Sequence, residues 1–170
     1  MRLFIAINFD EETKKRLLDI QQKLKDNSKS GNFSRPENLH LTIQFLGEIN
    51  GDISAIKSSI DKCFNNPIDL EFSGTGKFRS NLHWIGIKQN PQLIHLYNST
   101  YKELKRAGYK LDENESFSPH ITIAREVELK SKPDLSFDDF TMHATCLSLM
   151  KSERINGKLT YTEIYRKSIV

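Results

Sequence analysis

Ser34-Arg35-Pro36-Glu37-Asn38-Leu39-His40-Leu41-Thr42-Ile43-Gln44-Phe45-Leu46-Gly47 and, 80 residues later, Ser118-Pro119-His120-Ile121-Thr122-Ile123-Ala124-Arg125 are the two stretches that decide the fold. Each places a His-x-Thr in an apolar, β-favouring segment. Residues i and i+2 of a strand share a face. His40, Thr42 and Gln44 are therefore expected on one side, with Leu41, Ile43 and Phe45 in the core. His120 and Thr122 are expected opposite Ile121 and Ile123. The same 80-residue shift lays Phe4 on Trp84, Ile5 on Ile85, Ile7 on Ile87, Leu17 on Tyr97 and Leu24 on Leu104. Two strand–helix–strand units thus deliver a His-x-Thr at the same point, which reads as a duplicated fold. One such tripeptide means little: 5 His and 9 Thr in 170 residues yield about 0.26 by chance. His143-Ala144-Thr145 is a third, but its counterpart upstream is Cys63 in a helical pattern, so it is assigned to an ordinary strand face.

Around these stretches, strands are expected at Leu3–Phe9, Leu39–Leu46, Ile68–Phe72, Asn81–Ile87, Phe117–Ala124, Met142–Met150 and Leu159–Tyr165. Asp10 is placed to cap a helix carrying Leu17, Ile20 and Leu24, which the polar stretch Asp26–Asn32 ends. Asp52 is expected to cap a second helix with Ile53, Ile56 and Ile60. A third carries Leu93, Leu96, Tyr97 and Leu104 and stops at Gly108. Gly74-Thr75-Gly76 reads as a turn, Asp112–Ser116 as a polar loop, and Asn156-Gly157 as a hairpin tip. No linker interrupts the pattern, so residues 1–170 are expected to form one domain of two pseudo-symmetric lobes.

Composition narrows the function. Hydrophobic residues at 37% and charged residues at 28% exclude a disordered chain and a membrane-embedded one. A net charge of +3 suits an anionic ligand at a local site, not a tail coating long nucleic acid. Cys63 and Cys146 form no Cys-x-x-Cys pair, so neither a zinc ribbon nor a disulfide framework is expected, and a cytoplasmic location follows. The opening apolar run is too short for a signal peptide or a membrane span. No carboxylate-rich metal cage and no phosphate-binding Gly-rich loop is visible; neither metal nor cofactor is expected.

Two opposed histidines suit in-line displacement at phosphorus: one, neutral, takes a proton from the attacking oxygen, and the other, protonated, gives one to the leaving oxygen. The two threonine hydroxyls can bond phosphoryl oxygens. A metal hydrolase using His40, His120 and a further His is a competing reading, but the clustered ligand spacing is missing. Arg35, Lys77, Arg79 and Lys151 are candidate phosphate contacts, and Phe45, Phe78 or Phe117 candidate base-stacking surfaces. Trp84 is expected in the core, and His83 and His95 away from any chemistry.

The two stretches, with Phe45-Leu46-Gly47-Glu48, the Arg2–Ile7 opening and Leu147-x-x-Met150-x-Ser152, resemble the 2H phosphoesterases, and within them the RNA 2',3'-cyclic phosphodiesterase (2'-5' RNA ligase-like) branch. The resemblance implies a bilobal α+β fold, with two antiparallel sheets lining a central groove and helices outside. It implies that RNA 2',3'-cyclic phosphate ends are opened to 2'-phosphate. Small cyclic nucleotides are an alternative substrate within the same chemistry, and a monomer is expected. By position His40 would be the proton donor and His120 the proton acceptor. Thr42 and Thr122 would hold the phosphate, with Arg125. Strict alternation turns Arg125 away from His120, so its reach needs a bulge or a strand end. The alternatives are phosphodiesterase or ligase action on 2'-5' oligonucleotides, or a silent RNA-end-binding module.

Overall fold

The computed structural model describes residues 1–112 and 116–169, so the loop expected over Asp112–Ser116 lies partly outside the described residues. Strand β1 (Arg2–Asn8) leads into helix α1 (Glu11–Asp26), then β2 (Ser28–Phe33) and β3 (His40–Glu48). Helix α2 (Ser54–Cys63), β4 (Ile68–Phe78) and β5 (Leu82–Ile87) follow, then α3 (Pro91–Arg106), β6 (His120–Leu129), β7 (Phe140–Ala144), β8 (Cys146–Ile155) and β9 (Lys158–Ser168). All strand pairings among the described residues are antiparallel. One sheet has the order β3-β1-β8-β9 and the other β2-β6-β5-β4-β7. The fold is α+β, with the duplicated β1-α1-β3 and β5-α3-β6 units at matching positions in the two sheets.

Local chemistry explains the starts of α1 and α3. Asp10 Oδ1 accepts from the Thr13 amide at 2.8 Å, and Asn90 Oδ1 from the Leu93 amide at 2.8 Å, with Pro91 in the first turn. Leu17, Ile20 and Leu24 bury the stripe of α1, and Leu93, Leu96 and Leu104 that of α3. They meet Leu3, Ile5, Ile7, Leu41, Ile121 and Ile123 in one apolar core that joins both sheets to the helices.

Four readings of the sequence are corrected. The polar stretch after α1 is a strand, β2, pairing with β6. Its Ser-Lys-Ser-Gly-Asn composition carries no apolar alternation because it is an exposed edge. Gly74-Thr75-Gly76 is no turn: β4 continues through it with a register shift between Phe72 and Thr75. The stretch Met142–Met150 is two strands, because the chain leaves β7 in one sheet at Ala144 and enters β8 in the other at Cys146. Asp52 sits one residue before the α2 cap, Ile53, and binds the Ser54 amide (3.0 Å) and hydroxyl (2.6 Å). The hairpin tip is as expected: Asn156 and Gly157 both adopt positive φ, 52° and 77°, between β8 and β9.

Candidate active site

The two sheets flank a groove of about 1460 Å³, and β3 and β6 approach each other across it. His40, Thr42, His120, Thr122 and Arg125 all line it. His143 does not. It lies exposed on β7, its Nδ1 2.7 Å from Asp69 Oδ1, as expected for an ordinary strand histidine.

One irregularity, made twice, shapes this groove. Along β3, Thr42 pairs with Ala6 and Gln44 with Ile5, which leaves Ile43 as an extra residue. Along β6, Thr122 pairs with Trp84 and Ala124 with His83, which leaves Ile123 extra. Each bulge puts two successive side chains on the buried side, Ile43 with Gln44 and Ile123 with Ala124. The next residue is returned to the groove, which gives Phe45 in one unit and Arg125 in the other. Gln44 and Phe45 therefore depart from strict alternation. Gln44 is buried and donates to Tyr97 O at 2.8 Å, whereas Phe45 is 51% exposed with the Arg2 guanidinium 4.8 Å over its ring. Arg125 reaches the groove by the bulge that alternation alone forbids.

The two imidazoles are oriented in the same way. His40 Nδ1 lies 2.8 Å from Asn38 O, and His120 Nδ1 lies 2.8 Å from Ser118 O. A carbonyl can only accept, so each Nδ1 carries the proton and each Nε2 faces the groove. His40 Nε2 is 2.9 Å from Thr42 Oγ1. Aromatic rings buttress both: Phe4 (4.9 Å) and Tyr161 (5.2 Å, edge-on) at His40, Phe78 (5.0 Å, edge-on) and Trp84 (6.4 Å) at His120. Trp84 pairs with Thr122 and stands on the groove face, not in the core. His83 takes the buried position instead, and that burial lowers its pKa, with Lys77 adding to the effect.

The surroundings of the two histidines differ. Burial holds His40 below the ordinary histidine range. The Asn38 carbonyl opposes this, and the charges of Arg125 and His120 add to it. Burial raises the Tyr161 hydroxyl, against the pull of Arg125 and Arg2. Asn38 also donates from Nδ2 to Leu159 O at 3.0 Å, so the residue that fixes the His40 tautomer is itself fastened to β9.

Of the four candidate phosphate cations, Arg35 alone lines the groove, and it is committed to Glu37 (2.9 Å) and to Leu159 O. Lys151 pairs with Glu153 at 3.0 Å, away from the groove, and Lys77 and Arg79 also lie outside it. Sequence reasoning missed Arg2, Lys110, Arg154 and Lys158, which do line it. The alternation of β1, with Leu3, Ile5 and Ile7 buried, already put Arg2 and Phe4 on the opposite face. Nothing local marked the hairpin cations. Phe78 and Phe117 line the groove as expected. Among the described residues, no three His, Cys, Asp or Glu side chains cluster as a metal site.

A family model described as the 2'-5' RNA ligase superfamily matches residues 9–154. The chain belongs to this superfamily. It is 34% identical over 141 residues to the RNA 2',3'-cyclic phosphodiesterase of Thermotoga maritima, covering 79% of this chain and 73% of that one. It is 29% identical over 169 residues to the Escherichia coli protein of the same name, covering 97% and 94%. Among solved structures, E. coli LigT complexed with 3'-AMP superposes with a TM-score of 0.81 at 26% identity, over 99% of this chain and 97% of that one. LigT has also been solved with phosphate (TM-score 0.77, 27% identity, 99% and 96% covered). No helix among the described residues is long and apolar enough to cross a membrane.

Proposed function

We propose that this chain hydrolyses RNA 2',3'-cyclic phosphate termini to 2'-phosphate, using two histidines and no metal. The observation that carries the reading is the matched pair of Nδ1–carbonyl bonds, which leaves both Nε2 atoms turned into one basic groove. Two imidazoles whose Nε2 atoms face the groove from opposing strands suit the two proton transfers of an in-line displacement. The names of the relatives and the nucleotide and phosphate complexes of LigT support the same substrate class.

In this mechanism His120 Nε2 takes a proton from water as the water oxygen bonds to phosphorus. The P–O3' bond breaks, and His40 Nε2–H protonates O3'. Thr42, Thr122 and Arg125 hold the non-bridging oxygens. With His40 neutral, Thr42 O–H donates to Nε2. Once His40 is protonated, Nε2–H is the donor, and the threonine proton is freed for a phosphoryl oxygen. Burial lowers the His40 pKa and so favours its neutral form in the free protein. The anionic phosphodiester is the charge that returns its proton, so substrate binding arms the acid. A 5'-hydroxyl in place of water would give a 2'-5' linkage through the same groups, as the family description suggests.

The test is incubation with a short RNA ending in 2',3'-cyclic phosphate, in excess chelator, with identification of the product. The proposal expects a 2'-phosphate end. A 3'-phosphate product would reject the breaking of P–O3', and activity lost to chelator and restored by zinc or manganese would reject the metal-free reading.

A further inference from the structure

We infer that the RNA strand on the 5' side of the reacting end leaves the groove over the β8–β9 hairpin, where Arg154 and Lys158 hold the phosphate of a neighbouring nucleotide. The preferred substrate is then an oligonucleotide, not a single cyclic nucleotide. This rests on the roles proposed above for His40 and His120. In-line displacement sets the incoming water and the departing O3' on opposite sides of phosphorus. O3' belongs to the ribose, so with His40 as its proton donor the ribose and the strand behind it lie on the His40 side.

The element on that side is the hairpin. Tyr161 meets His40 edge-on, and Leu159 O binds the Asn38 that orients it. Ser152 pairs with Tyr161 and Arg154 with Leu159, so these four share one face, and all four line the groove. Lys158 lines it too, three residues from Tyr161, or about 10 Å at ~3.3 Å per residue. That distance lies past the reacting phosphate and in reach of the next one. Neither cation is neutralised among the described residues. Arg154 makes a 3.2 Å bond to Gly157 O inside the hairpin, and the Lys158 ammonium has no partner among the described residues. Arg35, by contrast, is occupied by Glu37 and Leu159. The two-residue turn at Asn156-Gly157 keeps the cations in fixed register on a paired ribbon.

The experiment compares kcat/KM for a 2',3'-cyclic mononucleotide and for a tetranucleotide with the same end, from about 50 to 200 mM salt. Binding of a labelled tetranucleotide ending in 2'-phosphate is followed in parallel by anisotropy. The wild-type protein is expected to prefer the tetranucleotide. Arg154→Ser with Lys158→Ser should cut the tetranucleotide-to-mononucleotide ratio about tenfold. It should also flatten the slope of log(kcat/KM) against log[salt] by about 0.7, the value for one neutralised phosphate on a single strand. Arg154→Lys with Lys158→Arg should keep the ratio. So should Lys102→Ser with Lys132→Ser, the same charge change outside the groove. An unchanged ratio in the hairpin variant, or an equal loss on both substrates, would overturn the inference. Collapse of the ratio in Lys110→Ser instead would show the strand leaving the other way. If the wild type turns over neither substrate, the proposed function fails separately. The anisotropy then still decides the hairpin contact, since an unchanged Kd in the hairpin variant rejects it.

Discussion

Gly76 is the position where a single methyl group should report on the site. It pairs with Trp84 across β4 and β5, and a Cβ built there would meet three indole carbons at 2.1, 2.5 and 2.6 Å. Ordinary contact begins near 3.4 Å, so the indole must move by more than about 1 Å. Trp84 Nε1 is buried with no hydrogen-bond partner among the described residues, so packing alone holds the ring. Overpacking of this kind costs about 1–3 kcal/mol. The lost freedom of the unfolded chain returns about 0.4–1 kcal/mol, because the glycine φ here is not positive. Gly76→Ala should therefore lose roughly 1–2 kcal/mol, a fall in Tm of about 3–6 °C for a chain of this size. Because Trp84 and Phe78 buttress His120, the displacement should also lower kcat, by up to ~10²-fold for a misplacement near 1 Å. Trp84 is the one tryptophan in the sequence, so its emission maximum reports this ring alone. The assay is a melt, an emission spectrum and a turnover measurement on the same sample. An unchanged spectrum with an unchanged Tm would refute the account of how the indole is seated.

The pH behaviour of His40 has a fixed sign. Its folded pKa is lowered, so folding is unaffected above the ordinary value of about 6.5 and loses stability as pH falls from there to the folded value, by up to ~1.4 kcal/mol per pH unit. The difference between wild type and His40→Gln in urea melts should show this slope, and parallel curves would refute it. In catalysis the same shift places the basic limb of kcat/KM, which reports the free protein, below that of kcat, which reports the complex. Coincident limbs would mean that substrate does not recharge His40. Phe45→Ala should raise KM several-fold more than it lowers kcat, as the loss of a stacking surface worth about 1–3 kcal/mol per base requires; a pure kcat loss would count against stacking there. His143→Ala should leave turnover within about twofold, against losses of at least ~10² for His40→Ala or His120→Ala. A folded His143→Ala protein without activity would mean that the working pair was misread.

The repeat was legible because two elements of matched length carried the same chemical tripeptide at the same offset. Strand placement followed where a segment was a continuous apolar run, as in β1, or half-buried with alternation, as in β3 and β6. What stayed hidden depended on partners distant in sequence. The bulges at Ile43 and Ile123 exist because β1 and β5 pair out of strict register there, so Phe45 could not be seen leaving the core, nor Arg125 entering the groove except conditionally. Trp84 read as core because its strand is apolar on both faces. Its groove-side seat depends on a glycine one strand away. β2 gave no signal because an exposed edge needs no apolar alternation. The break at Thr145 sits inside a continuous apolar pattern, and a switch between sheets leaves such a pattern intact. Arg154, Lys158 and Tyr161 reach the site because β9 fastens onto the segment before His40, a contact between residues more than 100 apart in the chain.

The division of labour between His40 and His120 is tested most directly by leaving-group rescue. Replacing O3' of the cyclic substrate by sulfur gives a thiolate leaving group, whose conjugate acid has a pKa near 8.5 and which departs without a proton donor. His40→Ala should regain most of its lost rate on this substrate. His120→Ala should not, because its missing step is the activation of water. Rescue of His120→Ala alone would reverse the roles, and equal rescue of both would show that the two histidines bind phosphate without moving its protons.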